Sequence, residues 1–403
     1  MTTRILLPHA DGTLQRHTVR GPGHFKPATL GTQLTRIAYS AVHVVADARA
    51  CVDPWLDCAI DWDATIAYRR RLWNMGLGVA EAMDTAQRGM GLNWPTSLEL
   101  IRRSIEASRE VPGALLANGC GTDHLAPEAA RSLDDVIRAY ELQMEAIEKL
   151  GGRMIMMASR ALAHVARSPA DYERVYDRVL SQVREPVILH WLGDMFDPAL
   201  KGYWGSDDPM RAMDTALGVI KAHAHKVDGV KISLLDKSKE VVMRRRLPTS
   251  GGRDGRGVRM YTGDDFNYAE LIAGDGVGQA VNHRQSDALL GIFDAIAPAA
   301  SAALAALADG DSARFHDILA PTVPLSRHIF RAPTRFYKTG VVFMSWLNGH
   351  QAHFAMVGGQ QSTRSIVHLA ELFRLADAAG LLEQPELAVR RMKALLALHG
   401  IEG

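Results

Sequence analysis

The run Val227-Asp-Gly-Val-Lys-Ile-Ser233 decides how this chain is read. A parallel strand covered on both faces is nearly continuous in apolar side chains, and an ammonium group inside it costs several kcal/mol unless it is paired, neutralised or set at an open end. Lys231 therefore either marks the mouth of a cavity or closes an ion pair. Late in a strand of a (β/α)8 barrel, its amine would reach the C-terminal face, where such barrels carry their active sites.

Working outward, strand-like runs begin at Leu34 (LTRIAYSAVHVV), Val79 (VAEAM), Gly113 (GALLAN), Arg153 (RMIMMA), Pro186 (PVILHW), Val258 (VRMYTGD) and Gly278 (GQAVNH). Segments with three-to-four-residue apolar spacing lie between them, among them SLDDVIRAYELQMEAIEKLGG and PADYERVYDRVLSQV, and these predict amphipathic helices. With VDGVKIS that makes about eight β/α units, the number a closed TIM barrel needs. A doubly wound sheet would carry a glycine-rich phosphate loop after its first strand, and VHVVADARACVDPW has no such fingerprint. The expected organisation is an N-terminal extension (1–33), an α/β barrel (34–310) and a C-terminal helical region (311–403).

Composition narrows the function. With 403 residues, a formal net charge of +1 and 6% aromatic residues, neither nucleic acid nor a membrane is an expected partner. Cys51, Cys58 and Cys120 form no CxxC pair, MTTRILLPHADG lacks a signal-peptide core, and no apolar run is long enough to span a bilayer. The expectation is a cytoplasmic protein with reduced thiols and no cofactor. The basic loop from Arg244 to Arg259 runs from a helix into a strand, which places it at the bottom of the barrel as a solvated connection.

The strand ends deliver the candidate site. Strand one ends near His43; strand two brings Glu81, Asp84 and Thr85; strand three Asn118; strand five His190; strand six Lys231 and Ser233; strand seven Thr262, Asp264 and Asp265; and strand eight Asn282 and His283. A desolvated lysine has its pKa drawn down from about 10.4, and the neutral amine can attack a carbonyl to form an imine, an electron sink for making or breaking a carbon–carbon bond.

VDGVKIS, MYTGDDFNYAELIAGDGVGQAVNH with the Ala-rich helix after it, and the tail LAELFRLADAAGLLEQPELAVRRM together resemble the dihydrodipicolinate synthase and N-acetylneuraminate lyase family. That family carries G-[IV]-K on strand six with a Schiff-base lysine, and S-G-D-[DE] after strand seven. The resemblance covers most of residues 34–400 and is most specific over 227–310. It implies that Lys231 forms the imine of a small carbonyl substrate, and that the chain is a class I aldolase or lyase assembled as a dimer or tetramer.

Two departures bear on the substrate. In place of the family's G-T-T-G-E, which holds a 2-keto-acid carboxylate, stands EAMDTAQRGMG, with only Thr85 comparable. In place of the proton-shuttling tyrosine of Y-N-[VIT]-P stands His190, and histidine is a competent acid/base near neutrality. The substrate is then a keto acid or a keto-sugar. Glu81 and Asp84 make a polyol or keto-sugar easier to host than a free carboxylate, with Asp264, Asp265 and Asn282 orienting its oxygens. Arg160 is a candidate anion contact or a surface ion pair, and Trp191 and Trp204 are candidates for a sugar-stacking wall or for packing. Two rival readings stand beside this one: a metal-dependent sugar isomerase or epimerase using His43, Glu81, His190 and Asp264, and a non-catalytic binding barrel.

Overall fold

The computed structural model describes residues 3–278 and 280–402. An antiparallel hairpin, β1 (Arg4–Pro8) and β2 (Leu14–Thr18), precedes eight parallel strands: β3 (Ala38–Ala41), β4 (Gly78–Glu81), β5 (Leu116–Cys120), β6 (Met154–Met157), β7 (Val187–Leu192), β8 (Val227–Ser233), β9 (Arg259–Thr262) and β10 (Asp287–Leu290). The eight close on themselves, β10 pairing with both β9 and β3. The expected TIM barrel is the observed fold.

Each strand alternates between the hollow and the surrounding helices. Tyr39, Ala80, Ala117, Ile155, Ile188 and Tyr261 form the inner cluster, and their neighbours join the outer core. On β8 the outward residues are Val230 and Ile232. A register shift between Val187 and Ile188 in the β7–β8 ladder accommodates Asp228, so Gly229 and Lys231 face inward. Gly229 has to be glycine here. A Cβ would lie 2.5 Å from the Tyr261 ring, which crosses the hollow beneath the lysine.

The helices follow from local chemistry. Ser132 and Asp135 close a capping box at the start of helix Leu133–Lys149, whose Val136, Tyr140, Met144 and Ile147 form one buried stripe. Asp61 caps helix Trp62–Asn74 more simply, its Oδ1 accepting from the Ala64 amide at 3.0 Å. That helix and helix Trp94–Arg109 are locked to β4 by one buried ion pair. Arg69 donates to both Glu81 oxygens at 2.8 and 2.9 Å, and Ser104 Oγ adds a third bond at 2.5 Å.

Beyond the barrel the chain is helical. Helices Ser312–Leu319, Thr322–Ile329, Tyr337–Leu347, Ile366–Ala378 and Pro385–Leu398 follow one another, and every residue of Tyr337–Leu347 is buried. The N-terminal hairpin is tied to helix Ile366–Ala378, whose Asp377 accepts from His17 Nε2 at 2.9 Å and from the Arg20 amide at 3.0 Å. No helix among the described residues is long and apolar enough to cross a membrane.

Strand eight corrects the sequence reading. GQAVNH is not the strand: Gln279 lies outside the described residues, and Val281–Arg284 is a short helix. Its alternation is broken by Gly278 at φ +133° and by polar residues on both faces, whereas DALL offers the contiguous buried side chains a barrel strand needs. Asn282 and His283 consequently sit at the opposite end of the barrel. Asn282 Nδ2 donates to the carbonyls of Val258 and Pro248 (2.9 and 3.1 Å), and His283 Nε2 lies 2.8 Å from that of Leu247. The Arg244–Arg259 loop is at this bottom end too, as expected.

Arg69 and Glu81 are both wholly buried. Glu81→Ala leaves a buried guanidinium without its partner, which should cost about 3–5 kcal/mol of unfolding free energy. Urea titration followed by circular dichroism measures this; a loss below about 1 kcal/mol would show that the pair does not lock these helices.

Candidate functional site

Lys231 stands two residues before the end of β8, its side chain running up the hollow. Gly263, just past β9, makes room for it. A Cβ there would lie 2.8 Å from Lys231 Cε and 2.4 Å from Ser233 Oγ. The residue is only 7% exposed. Its Nζ makes no hydrogen bond or close ion pair among the described residues. Burial pulls the amine down to about 8, opposed in part by the negative charges of Asp265 and Asp84.

Six polar side chains face the space around the amine: Asp84, Thr85, His190, Ser233, Asp265 and Tyr337. That space is ≈ 10 Å³, about what one water needs. Asp84, His190 and Leu192 also line a second cavity of ≈ 80 Å³, walled further out by Arg88, Arg160, Asp123 and Asp197. A carbonyl compound approaching Lys231 from this side passes Asp84 and His190.

Each neighbour is tuned by its surroundings. Asp265 Oδ1 accepts from the Ile292 amide at 2.9 Å, and burial pushes its carboxyl up to about 7 against the pull of Lys231. Burial, followed by the charge of Lys231, holds the His190 imidazole well below its ordinary value, so it is neutral at pH 7; its Nε2 is 3.3 Å from Ser233 Oγ. Tyr337 is 3% exposed and its hydroxyl lies 2.7 Å from Thr85 Oγ1. Burial first, then Asp84, raises this phenol well above its ordinary value, so it stays a proton donor. Asp84 is also held from behind, with Lys338 Nζ 3.1 Å from its Oδ2.

Of the residues read from the sequence, Lys231, His190, Ser233, Asp84, Thr85 and Asp265 converge. The others do not. Glu81 follows the inward Ala80 and Asn118 the inward Ala117, so both point outward, Glu81 to Arg69 and Asn118 Nδ2 to the Arg153 carbonyl at 3.0 Å. Asp264 folds its own turn, accepting from the amides of Phe266 (2.9 Å) and Asn267 (3.0 Å). Asn282 and His283 are at the far end of the barrel. His43 binds Asp294 Oδ2 through Nδ1 at 2.7 Å and meets Gln351 Oε1 through Nε2 at 3.1 Å. With Glu81 turned outward as well, the four ligands of the metal reading do not assemble.

Arg160 closes on Asp197 at the rim of the outer cavity. Trp204 stacks on Tyr176 with centroids 4.7 Å apart, and Trp191 packs edge-on to Trp204 at 6.5 Å. Both tryptophans are buried packing residues rather than a stacking wall. The sequence reading missed Tyr337 and Lys338. Their only signal is a Tyr-Lys pair opening the otherwise apolar stretch VVFMSWL, outside any strand end.

This geometry defines a (β/α)8 barrel with a desolvated lysine on its sixth strand. Residues 5–401 match the family model described as "Protein of unknown function (DUF993)", and the chain belongs to that family. No curated protein matches the sequence. Among solved structures, a prophage protein of the dihydrodipicolinic acid synthase family from E. coli K12, in complex with pyruvate, aligns with a TM-score of 0.62 at 15% identity, over 87% of this chain and 100% of its own. Dihydrodipicolinate synthase from Aquifex aeolicus aligns with a TM-score of 0.61 at 11% identity, over 87% and 99%. The enzyme of that name from Oceanobacillus iheyensis gives 0.55 at 15%, over 84% and 96%. At these identities the likeness is one of fold.

Only a neutral amine is nucleophilic. Acetylation of Lys231 by a trace of acetic anhydride, followed by peptide mass mapping, should rise with pH through about 8 and level off above it. A profile still climbing towards the ordinary lysine value of about 10.4 would show that the site does not depress the amine.

Proposed function

We propose that this protein is a lysine-dependent aldolase or lyase acting through an imine on a keto acid or keto-sugar. The observation that carries the reading is the Lys231 amine, buried without a bonded partner among the described residues at the C-terminal end of the barrel, with Asp84, His190, Asp265 and Tyr337 around it as groups able to move protons. A lysine kept for structure would be closed on a carboxylate, as Lys338 is on Asp84. Support from the comparisons is the shared fold.

In this reading the neutral Lys231 amine adds to the substrate carbonyl, and Tyr337, held by Thr85, protonates the departing hydroxyl so that water leaves and the imine forms. The cationic imine then accepts the electron pair of the breaking carbon–carbon bond. His190, neutral and beside Ser233, takes the proton from the hydroxyl that becomes the new carbonyl. Asp265 supplies the balancing charge beside the imine nitrogen. A cytoplasmic homo-oligomer, dimer or tetramer, belongs to the same proposal.

Borohydride added with a panel of keto acids and keto-sugars should leave a stable secondary amine on Lys231, and Lys231→Met, which keeps the apolar stem without the amine, should abolish it in a folded protein. An adduct that maps to another residue with every compound turned over would remove the proposal. Tyr337→Phe keeps the ring in its stack on Phe330 (centroids 4.3 Å apart). It should slow kcat by about 10²–10⁴ with little change in KM. An unchanged kcat would take the proton donor's role away from Tyr337.

A further inference from the structure

The charges around Lys231 select among carbonyl compounds, and this selection rests on the imine reading above. A 2-keto acid carries its carboxylate on the carbon next to the one attacked, so that carboxylate has to lie inside the inner space. Of the polar side chains there, Asp84 and Asp265 are carboxylic, Thr85, Ser233 and Tyr337 are hydroxyls, and His190 is an imidazole. Apart from Lys231, which is consumed in forming the imine, none is a lysine or an arginine.

The cations around the site are already engaged. Lys338 Nζ is spent on Asp84 Oδ2 (3.1 Å) and on the Arg335 carbonyl (2.9 Å), and it lines neither cavity. Arg88 and Arg160 in the outer cavity are each closed on a carboxylate, Asp123 and Asp197. An incoming carboxylate would therefore meet an Asp84–Lys338 pair that is already neutral, and would leave water with no free cation to receive it, which costs several kcal/mol. A hydroxyl at the same place donates to Asp84 and accepts from Thr85 or Tyr337.

We propose that the substrate is an uncharged α-hydroxycarbonyl compound, a ketone or aldehyde of sugar type whose hydroxyl next to the carbonyl is held by Asp84, and not a 2-keto acid. The outer cavity suits the remainder of such a molecule. Its wall alternates paired charges, which offer donors and acceptors side by side, with the apolar Leu125, Met157 and Leu200.

Hydroxyacetone and pyruvate are the probes, each a three-carbon methyl ketone. With either one, the amine adds to the carbonyl, one water leaves, and borohydride delivers hydride to the imine carbon. Adduct on Lys231 is quantified by mass mapping, and each rate is divided by that of the same ketone with Nα-acetyl-lysine. The wild-type protein should trap hydroxyacetone at least about tenfold faster than pyruvate on this scale, and Asp84→Asn should shrink the ratio towards one. Pyruvate trapped on Lys231 as fast as hydroxyacetone overturns the inference and leaves the imine reading standing. A ratio unchanged in a folded Asp84→Asn removes Asp84 as the selector. No Lys231 adduct with any ketone removes both. The wild-type comparison holds whether or not the variant folds.

Discussion

Keeping one ammonium-capable nitrogen out of water, with no ion-pair partner among the described residues, is the constraint on which this site depends. Burial shifts the Lys231 amine by enough to disfavour its charged form by on the order of 3 kcal/mol. That energy comes from the packed barrel around it. Gly229 lets Tyr261 floor the hollow, and Gly263 lets the lysine stem rise past β9. Asp265 and Asp84 act through space and so moderate the shift without closing on the nitrogen. A direct bond to either would have favoured the ammonium again.

The barrel alone does not complete the site. The C-terminal helices bring Tyr337 and Lys338, consecutive residues with opposite tasks, to the C-terminal face of the barrel. One presents a hydroxyl to the inner space and the other anchors the carboxylate of Asp84 from behind. Because helix Tyr337–Leu347 is buried along its whole length, both are fixed by packing as firmly as strand residues are. A phenol facing the inner space is thus supplied by the tail of the chain, while strand five, where the resemblance implies a tyrosine, carries a neutral histidine.

Much of this was legible in the residues. Seven of the eight barrel strands announce themselves as apolar runs, and a lysine inside one of them points to the site. Strand eight was misplaced because GQAVNH and DALL are both short and apolar at their centres, and only closure of the barrel chooses between them. Glu81 and Asn118 were misread for a different reason. A pleat reverses direction at every residue, so an uncertainty of one position in register exchanges the hollow for the helices. Asp264 and Asp265 are adjacent acids that sequence treats alike, yet one is spent on its own turn and the other faces the amine.

Local pattern by itself determined the period of the elements, hence the barrel, and the position of Lys231 near an open strand end, because burial and periodicity act within a few residues along the chain. Tertiary structure alone decided which carboxylates face the amine, which are locked on arginines, and that Tyr337 reaches Thr85 from 252 residues away. Contacts across that separation are set by how the helices dock on the finished barrel, and docking depends on the summed shape of many side chains rather than on any spacing in the sequence.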